Sequence, residues 1–318
     1  MAKLKYSRSD VVIAAMCLLA IPQAFHCLHT GGASVGDKSI AGGIPCARRL
    51  NKASRWSRVF MCGNDFVHES NTGKRPSTWS NVGGNDIIKI ADNLWCAERP
   101  FIWNGIDVGG RMAVVKLSDG SLWVHSPVGL DEPLRNALEE IGPVAHIVSP
   151  NFEHVRYAGE WKEAFPEARS YACPGLAERS PEVEFWRSVG DAPGDDAPRE
   201  WAGEILACFL DTEHNPVTRK PFFNEVVFYH PPTKTLITAD LFWNYPTQVP
   251  TGTRVWKWGM DKVYLPFYKR FMVKDQGSFE AKLDEILGWG VEMIVPCHGS
   301  IVRTGGGKVL QKTLLGKD

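Results

Sequence analysis

Three separate segments of the chain share a pattern that restricts its fold: an apolar run ends in polar side chains able to bind a metal. The segments are Ser149-Pro150-Asn151-Phe152-Glu153-His154, then 236–241 with Asp240, and finally 294–299 with His298. Each preceding run is short and apolar, as expected for a buried strand. We therefore expect a sheet protein whose functional residues follow the ends of strands.

Residues 86 to 306 alternate between strand-like and helical runs. Met112–Leu117 and Ser121–His125 flank an Asp-Gly pair, which predicts a β-hairpin. A helix from an Asp131 cap to Ile141 and a second hairpin over 225–239 should follow. Early hairpins followed by αβ alternation predict an α/β (α+β) fold with two mixed sheets covered by helices.

Two regions near the C-terminus have less regular patterns. The aromatic and proline-rich segment 244–268 has no clear period, so it predicts either a lid or, as we favour, a long packed insertion. The glycine-rich residues 305–308 lack a strand–loop–helix context, and a phosphate-binding loop is therefore not indicated. We expect the domain to end at residue 306 and a flexible tail to occupy 307–318.

The first 80 residues have the character of a targeting sequence. Lys3, Lys5 and Arg8 precede the apolar run Val11–Ile21, which predicts a signal peptide over 1–24. The run is short for a bilayer span, although a retained signal anchor is an alternative. Residues 25–80 are basic and poor in acidic side chains, as in a transit peptide.

A signal peptide followed directly by a transit-like segment resembles the bipartite leader of proteins imported into complex plastids. Phe25, just after the predicted cleavage point, fits the aromatic residue typical of that position. We therefore expect plastid localisation, with secretion as the alternative. No stable membrane span is expected in the mature protein.

Charge and cysteine usage exclude several function classes. Outside residues 1–80 the chain has 25 basic and 32 acidic residues, so nucleic acid is not an expected partner. The eight cysteines form no Cys-x-x-Cys pair, which argues against a zinc ribbon or a dithiol redox site. Residues 86–306 also contain no Gly-x-Ser-x-Gly nucleophile elbow.

The three polar segments resemble the motifs of the metallo-β-lactamase superfamily, in the same order and over about 220 residues. The resemblance is closest to an uncharacterised branch, a domain of unknown function, with Pro-Asn in the first motif and a nearby Gly-Glu-Trp, here 159–161. It implies an αββα sandwich of two mixed sheets flanked by helices. It also implies a two-metal site, of which this chain keeps only part.

Matching the motifs residue by residue shows which ligands are lost. The first two family histidines fall on Ser149 and Asn151, and the middle histidine falls near Pro221. The ligands private to the first metal are therefore replaced. The resemblance leaves one four-residue set for the second metal: Glu153, His154, Asp240 and His298. His214, seven residues before Pro221, is a candidate replacement ligand.

Two imidazoles and two carboxylates suit one Zn²⁺, Fe²⁺ or Mn²⁺ ion. Superfamily members mostly act on esters, thioesters, lactams and phosphodiesters, so the resemblance implies a metal-dependent hydrolase of a small molecule. Glu153 or Asp240 could then serve as the general base. The alternatives are that these residues only make hydrogen bonds, and that the protein is a pseudoenzyme binding a small molecule or a plastid partner.

Overall fold

The computed structural model describes residues 78–317 apart from 104, 191–196 and 202, and it contains two main β-sheets flanked by helices. The predicted signal peptide and the predicted leader up to residue 77 lie outside these described residues. Within the described part, no helix is both long enough and apolar enough to cross a bilayer.

The first sheet has seven strands in the order β1-β2-β5-β6-β7-β8-β9. Its strands are β1 (Ile88–Ala91), β2 (Leu94–Arg99), β5 (Gly110–Lys116), β6 (Leu122–His125), β7 (Val144–Ser149), β8 (Arg169–Ala172) and β9 (Arg187–Ser188). The pairs from β1 to β6 are antiparallel, and those from β6 to β9 are parallel. A separate two-stranded ribbon joins β3 (Ile102–Trp103) to β4 (Ile106–Asp107).

The second sheet has four strands in chain order: β10 (Leu206–Phe209), β11 (Val226–His230), β12 (Thr235–Thr238) and β13 (Met293–Pro296). The first two pairs are antiparallel, whereas β12 and β13 run parallel. Both sheets are therefore mixed, as predicted.

Helices cover the sheets and connect their strands. They are α1 (Glu132–Ile141), α2 (Ala158–Ala164), α3 (Leu176–Arg179), α4 (Thr251–Gly259), α5 (Leu265–Phe267), α6 (Gln276–Gly288) and α7 (Gly306–Leu315). Two π-helical stretches complete one helical run from 251 to 272. Met260–Tyr264 joins α4 to α5, and Tyr268–Met272 continues the run after α5. Single 3₁₀ turns lie at Arg199–Trp201 and Pro231–Thr233.

The main core lies between the two sheets. Trp123 of β6 meets Phe228 of β11 edge to face, with ring centroids 5.1 Å apart, and Trp201 packs against both rings. All three side chains are fully buried. Burying one such side chain stabilises the fold by about 1.5–3 kcal/mol, so this aromatic cluster is a large part of what joins the sheets.

A second core lies on the outer face of the seven-stranded sheet. Leu134 and Leu138 of α1, together with Trp161 of α2, pack against Met112 and Val114 of β5. The spacing of four residues places both leucines on one face of α1. The fourth layer is formed by α7, which contacts β13 of the four-stranded sheet, and by α6, which packs against α7. Helices therefore cover both sheets, as in the predicted αββα sandwich.

Local signals in the sequence predicted several elements correctly. The Asp-Gly hairpin is confirmed as the antiparallel pair β5–β6. Asp131 caps α1 by accepting a hydrogen bond from the backbone N–H of Leu134 at 3.0 Å, and Gly142 follows the last helical residue. These elements depend on contacts within a few residues, which is why the sequence alone predicts them.

For two C-terminal regions the structure can be compared with the expectation drawn from composition. The expected flexible tail over 307–318 was wrong, because residues 306–315 form helix α7, with Leu310 and Leu314 buried. Their four-residue spacing gives the helix an apolar face, which outweighs the glycines at its start. In the segment 244–268, the helical run buries Tyr264 and its continuation buries Met272, in agreement with the packed insertion.

Candidate metal centre

Strand ends from both sheets bring the candidate residues together. In the parallel pair β12–β13, Thr238 lies opposite Pro296, so Asp240 and His298 each lie two residues beyond the paired positions. His154 comes from the other sheet, in the loop that follows β7. Loops at the carboxyl ends of strands are common places for ligands, because the sheets hold them rigidly from below.

The three side chains lie within metal-binding distance of one another. One ligand atom from each of His154, Asp240 and His298 lies within 4.8 Å of the other two. His154 Nε2 is 3.2 Å from Asp240 Oδ2, and His298 Nε2 is 3.5 Å from Asp240 Oδ1. Ligand atoms of a tetrahedral zinc ion are about 3.4 Å apart when each bond is about 2.1 Å. The two separations, one to each carboxylate oxygen, are close to this value, so two imidazoles and one carboxylate could bind a single ion.

Each imidazole has a second partner on its far nitrogen. His298 Nδ1 donates to the carbonyl oxygen of Gly109 at 2.7 Å, which leaves its Nε2 lone pair directed at the site. His154 Nδ1 lies 2.7 Å from the hydroxyl of Ser126. Outer hydrogen bonds of this kind orient metal-binding histidines and select their tautomer. The surrounding residues thus hold both rings ready for a ligand role.

Burial and charge strongly change the acidity of the cluster. Burial raises the pKa of Asp240, but the charge and hydrogen bond of His154, with His298 and Asn151, lower it to about 2. Burial alone would lower the pKa of His154, yet the Cys297 sulfur and the Asp240 carboxylate raise it well above its ordinary value. The pKa of His298 is lowered, mainly by burial. Asp240 and His154 therefore favour each other's charged forms.

Asn151, which falls where the resemblance places a histidine ligand, makes hydrogen bonds within the candidate centre. Its Nδ2 donates to Asp240 Oδ2 at 2.7 Å, and its Oδ1 accepts from the backbone N–H groups of Glu153 and His154. The other replaced positions are Ser149, which is buried, and Pro221, which is exposed. Neither side chain is a useful zinc ligand.

Two residues suggested by the sequence are not part of the three-residue group. Glu153 is exposed, and its carboxylate does not join the group found among the described residues. His214 is buried elsewhere, where its Nε2 accepts a hydrogen bond from Arg219 Nη1 at 2.9 Å. Its backbone N–H donates to the carbonyl of Met272. The structure therefore brings together three of the four predicted ligands.

Glu225 supports the centre and was missed in the sequence. Its buried carboxylate accepts hydrogen bonds from the backbone N–H groups of Ala239, Asp240 and Leu241 at 2.7, 2.7 and 2.9 Å. Burial and the nearby Asp240 charge raise the pKa of Glu225 to about 7 despite these bonds. A charged residue at the start of an apolar strand, next to Val226, was the only signal in the sequence.

Solved structures with a similar fold include several metallo-β-lactamases. DIM-1 metallo-β-lactamase exposed to ceftazidime is 16% identical, with a TM-score of 0.49 over 72% of this chain and 94% of that chain. VMB-1 at pH 5.5 is 12% identical, with a TM-score of 0.50 over 72% and 96%. The mono-zinc form of metallo-β-lactamase FIM-1 from Pseudomonas aeruginosa is 11% identical, with a TM-score of 0.48 over 72% and 92%.

At such low identities, these likenesses concern the fold alone. The likeness to VMB-1 and the two mixed sheets flanked by helices show a metallo-β-lactamase-like fold. No curated protein matches the chain. A family model described as "Domain of unknown function (DUF4336)" matches residues 91–260, which is more than half of the chain. The matched range contains His154 and Asp240 and ends before His298. The chain belongs to this family of unknown function.

Proposed function

We propose that this protein is a hydrolase that uses one divalent metal ion to cleave an ester, thioester or similar bond in a small molecule. The observation that carries the proposal is the convergence of His154, Asp240 and His298, with an outer partner on each imidazole. Three protein ligands leave positions open for water and substrate on Zn²⁺, Fe²⁺ or Mn²⁺. Open positions distinguish catalytic sites from closed structural ones.

The side chains of the centre would have different roles in the reaction. A bound ion supplies Lewis acidity, which polarises a carbonyl group and makes water easier to deprotonate. Asp240, held by Asn151 and both imidazoles, is suited to be a ligand. Glu153 is exposed next to His154, and we assign it the role of general base, taking the proton from water.

Metal content tests the proposal directly. We expect the purified protein to contain about one equivalent of zinc, iron or manganese by elemental analysis. His154→Ala and His298→Ala should each remove most of it, because each variant loses one of three ligands. His230→Ala removes a buried histidine far along β11 and serves as the matched control. His214→Ala should also retain the metal, and its loss there would show that His214 is a ligand.

A non-catalytic binding protein is the second candidate, and one observation favours it. Asp240 is already balanced by His154 and by the Asn151 amide, so the centre satisfies its buried charge without an ion. Under this alternative the protein binds a small molecule or a plastid partner without turnover. Absence of zinc, iron and manganese from the purified protein, together with no rise in stability when each is added, would favour it over the hydrolase.

We also propose that residues 1–80 direct the protein into a plastid. The basic start, the apolar run Val11–Ile21 and the acid-poor segment after Phe25 support this proposal. A fluorescent reporter fused to residues 1–80 should accumulate in plastids of a cell with complex plastids. The matched fusion lacking residues 1–24 should fail to enter the secretory route. Secretion of the full fusion would contradict the proposal.

A further inference from the structure

One face of the helical run from 251 to 272 is exposed along its whole length. Every fourth residue is exposed to solvent: Arg254, Trp258, Lys262, Pro266 and Arg270. The wider turns of the two π-helical stretches help to keep residues four apart on the same face. These five exposed residues form one continuous stripe along the run, which we call the outer stripe.

Apolar side chains border this outer stripe. Val255 is 63% exposed, Trp258 58% and Phe271 43%. They are three of the seven large apolar side chains that are exposed among the described residues. Single exposed apolar residues are normal, but several on one helical run indicate a surface that contacts something else.

The same segment is also strongly basic. Residues 251–274 contain one acidic side chain, Asp261, and six basic ones: Arg254, Lys257, Lys262, Lys269, Arg270 and Lys274. The acidic residue is paired with Lys257. Because residues 81–318 as a whole contain 25 basic and 32 acidic residues, the positive charge of this segment stands out against an acidic domain.

The inner face of the run is anchored, so the outer stripe has a fixed position. Tyr264, Tyr268 and Met272 are buried. Trp256 Nε1 donates to the Tyr245 hydroxyl at 3.0 Å. The neighbouring residue, Asn244, donates its backbone N–H to the carbonyl of His298. The run is thus attached, through residues 244 and 245, to the loop that carries a candidate metal ligand.

We propose that the outer stripe docks this protein onto the surface of an anionic lipid bilayer. The basic side chains would be attracted by anionic headgroups, while Trp258, Val255 and Phe271 enter the interfacial layer. Tryptophan is well suited to that layer because its ring is apolar and its N–H is polar. The docking does not depend on a bound metal.

A nucleic acid would also attract basic residues, but the surface fits it less well. Bases stack on aromatic rings, whereas Val255 offers them no stacking partner. A lipid surface makes use of both the aliphatic and the basic side chains, so we choose it as the partner.

Vesicle sedimentation of the full chain tests the proposal. We expect binding to phosphatidylcholine vesicles that contain about 30% phosphatidylserine, and little binding to pure phosphatidylcholine. The double variant Lys262→Glu/Arg270→Glu should lower the partition coefficient about tenfold or more, and Trp258→Ala should lower it severalfold. All proteins compared keep residues 1–80, so any binding by that basic region is common to them.

Matched controls separate the outer stripe from general surface effects. Trp186→Ala removes a tryptophan that is 61% exposed elsewhere, and Lys308→Glu reverses an exposed charge outside the segment. Both should bind like the unmodified protein. Unchanged binding of the stripe variants, or equal binding to neutral vesicles, would overturn the proposal. So would a selective loss of oligonucleotide binding or of self-association in those variants while vesicle binding is unaffected.

Discussion

At the scale of single residues, the Asn151 amide decides how the residues of the candidate centre are held. Its oxygen holds the backbone of residues 153 and 154, and its nitrogen holds the Asp240 carboxylate. A histidine at this position would offer a metal one more nitrogen, but it could not make both kinds of bond in the same way. The amide therefore orders Asp240 and the loop that carries His154, two of the three residues of the candidate centre.

Two substitutions at residue 151 separate these roles. Asn151→Asp keeps the accepting oxygen but places a carboxylate against Asp240, whereas Asn151→Ala removes every hydrogen bond of the amide. We expect Ala to lower the free energy of unfolding by about 1–3 kcal/mol, because buried partners lose their hydrogen bonds. Asp should also destabilise the protein at pH 7, through like-charge repulsion. Urea unfolding measures both, and an Asp variant as stable as the unmodified protein would show that the Asp240 contact matters little.

Glu213 should make stability depend on pH. Burial and the Glu225 charge together raise its pKa to about 8, although hydrogen bonds from the backbone N–H groups of Asn224 and Phe223 lower it. Between the ordinary value of 4.5 and about 8 the folded state binds more protons than the unfolded state, so stability falls as pH rises. Glu213→Gln keeps the accepting oxygen and cannot ionise.

The difference between Glu213→Gln and the unmodified protein isolates this group from other titrations. We expect the variant to be more stable at pH 8 by on the order of 2 kcal/mol, and the difference to shrink towards pH 5. Urea unfolding at several pH values measures it. Glu139→Gln, at an exposed position on α1, controls for the loss of one carboxylate. A pH-independent difference would contradict the assignment.

Elements differed in how far the sequence could predict them. The β5–β6 hairpin and α1 are determined by local sequence signals, an Asp-Gly turn and an Asp131 cap. Helix α7 was missed because its glycines are typical of loops, while the gain from burying Leu310 and Leu314 comes from the remainder of the domain. Local propensity is a weak guide wherever tertiary burial provides most of the stability.

Helix α7 should therefore contribute strongly to stability. Leu314→Ala removes a buried side chain, and we expect it to lower the free energy of unfolding by about 2–5 kcal/mol. Lys308→Ala, at an exposed position of the same helix, should change it by less than about 0.5 kcal/mol. Urea unfolding compares the two. Equal effects would mean that α7 behaves as the flexible tail suggested by its composition.

At the scale of the whole molecule, motif order predicted the fold, and it named the three residues that the structure brings together. Asp240 and His298 follow parallel neighbouring strands, and the resemblance already paired them with His154. The supporting roles of Glu225 and Ser126 depend on which loops meet in space, and one sequence does not state that. Glu153 was included because it follows the motif, whereas its exposed position is set by the turn around Asn151.

Metal binding should stabilise the whole domain, because the ligands are brought together only in the folded state. An ion at 100 times its dissociation constant adds about 2.7 kcal/mol to the free energy of unfolding. Chelation should therefore lower the thermal midpoint of the unmodified protein, and adding zinc or manganese should restore it. His298→Ala should show neither change. A midpoint insensitive to chelator and metal would contradict a bound ion.

The centre straddles the two sheets, since His154 belongs to one and Asp240 and His298 belong to the other. Its geometry therefore depends on how the two sheets are aligned. A substitution in the aromatic core, such as Phe228→Leu, touches none of the three ligands, yet it can slide one half against the other. The spacing of the three candidate residues would then depend on how the buried rings of the core pack.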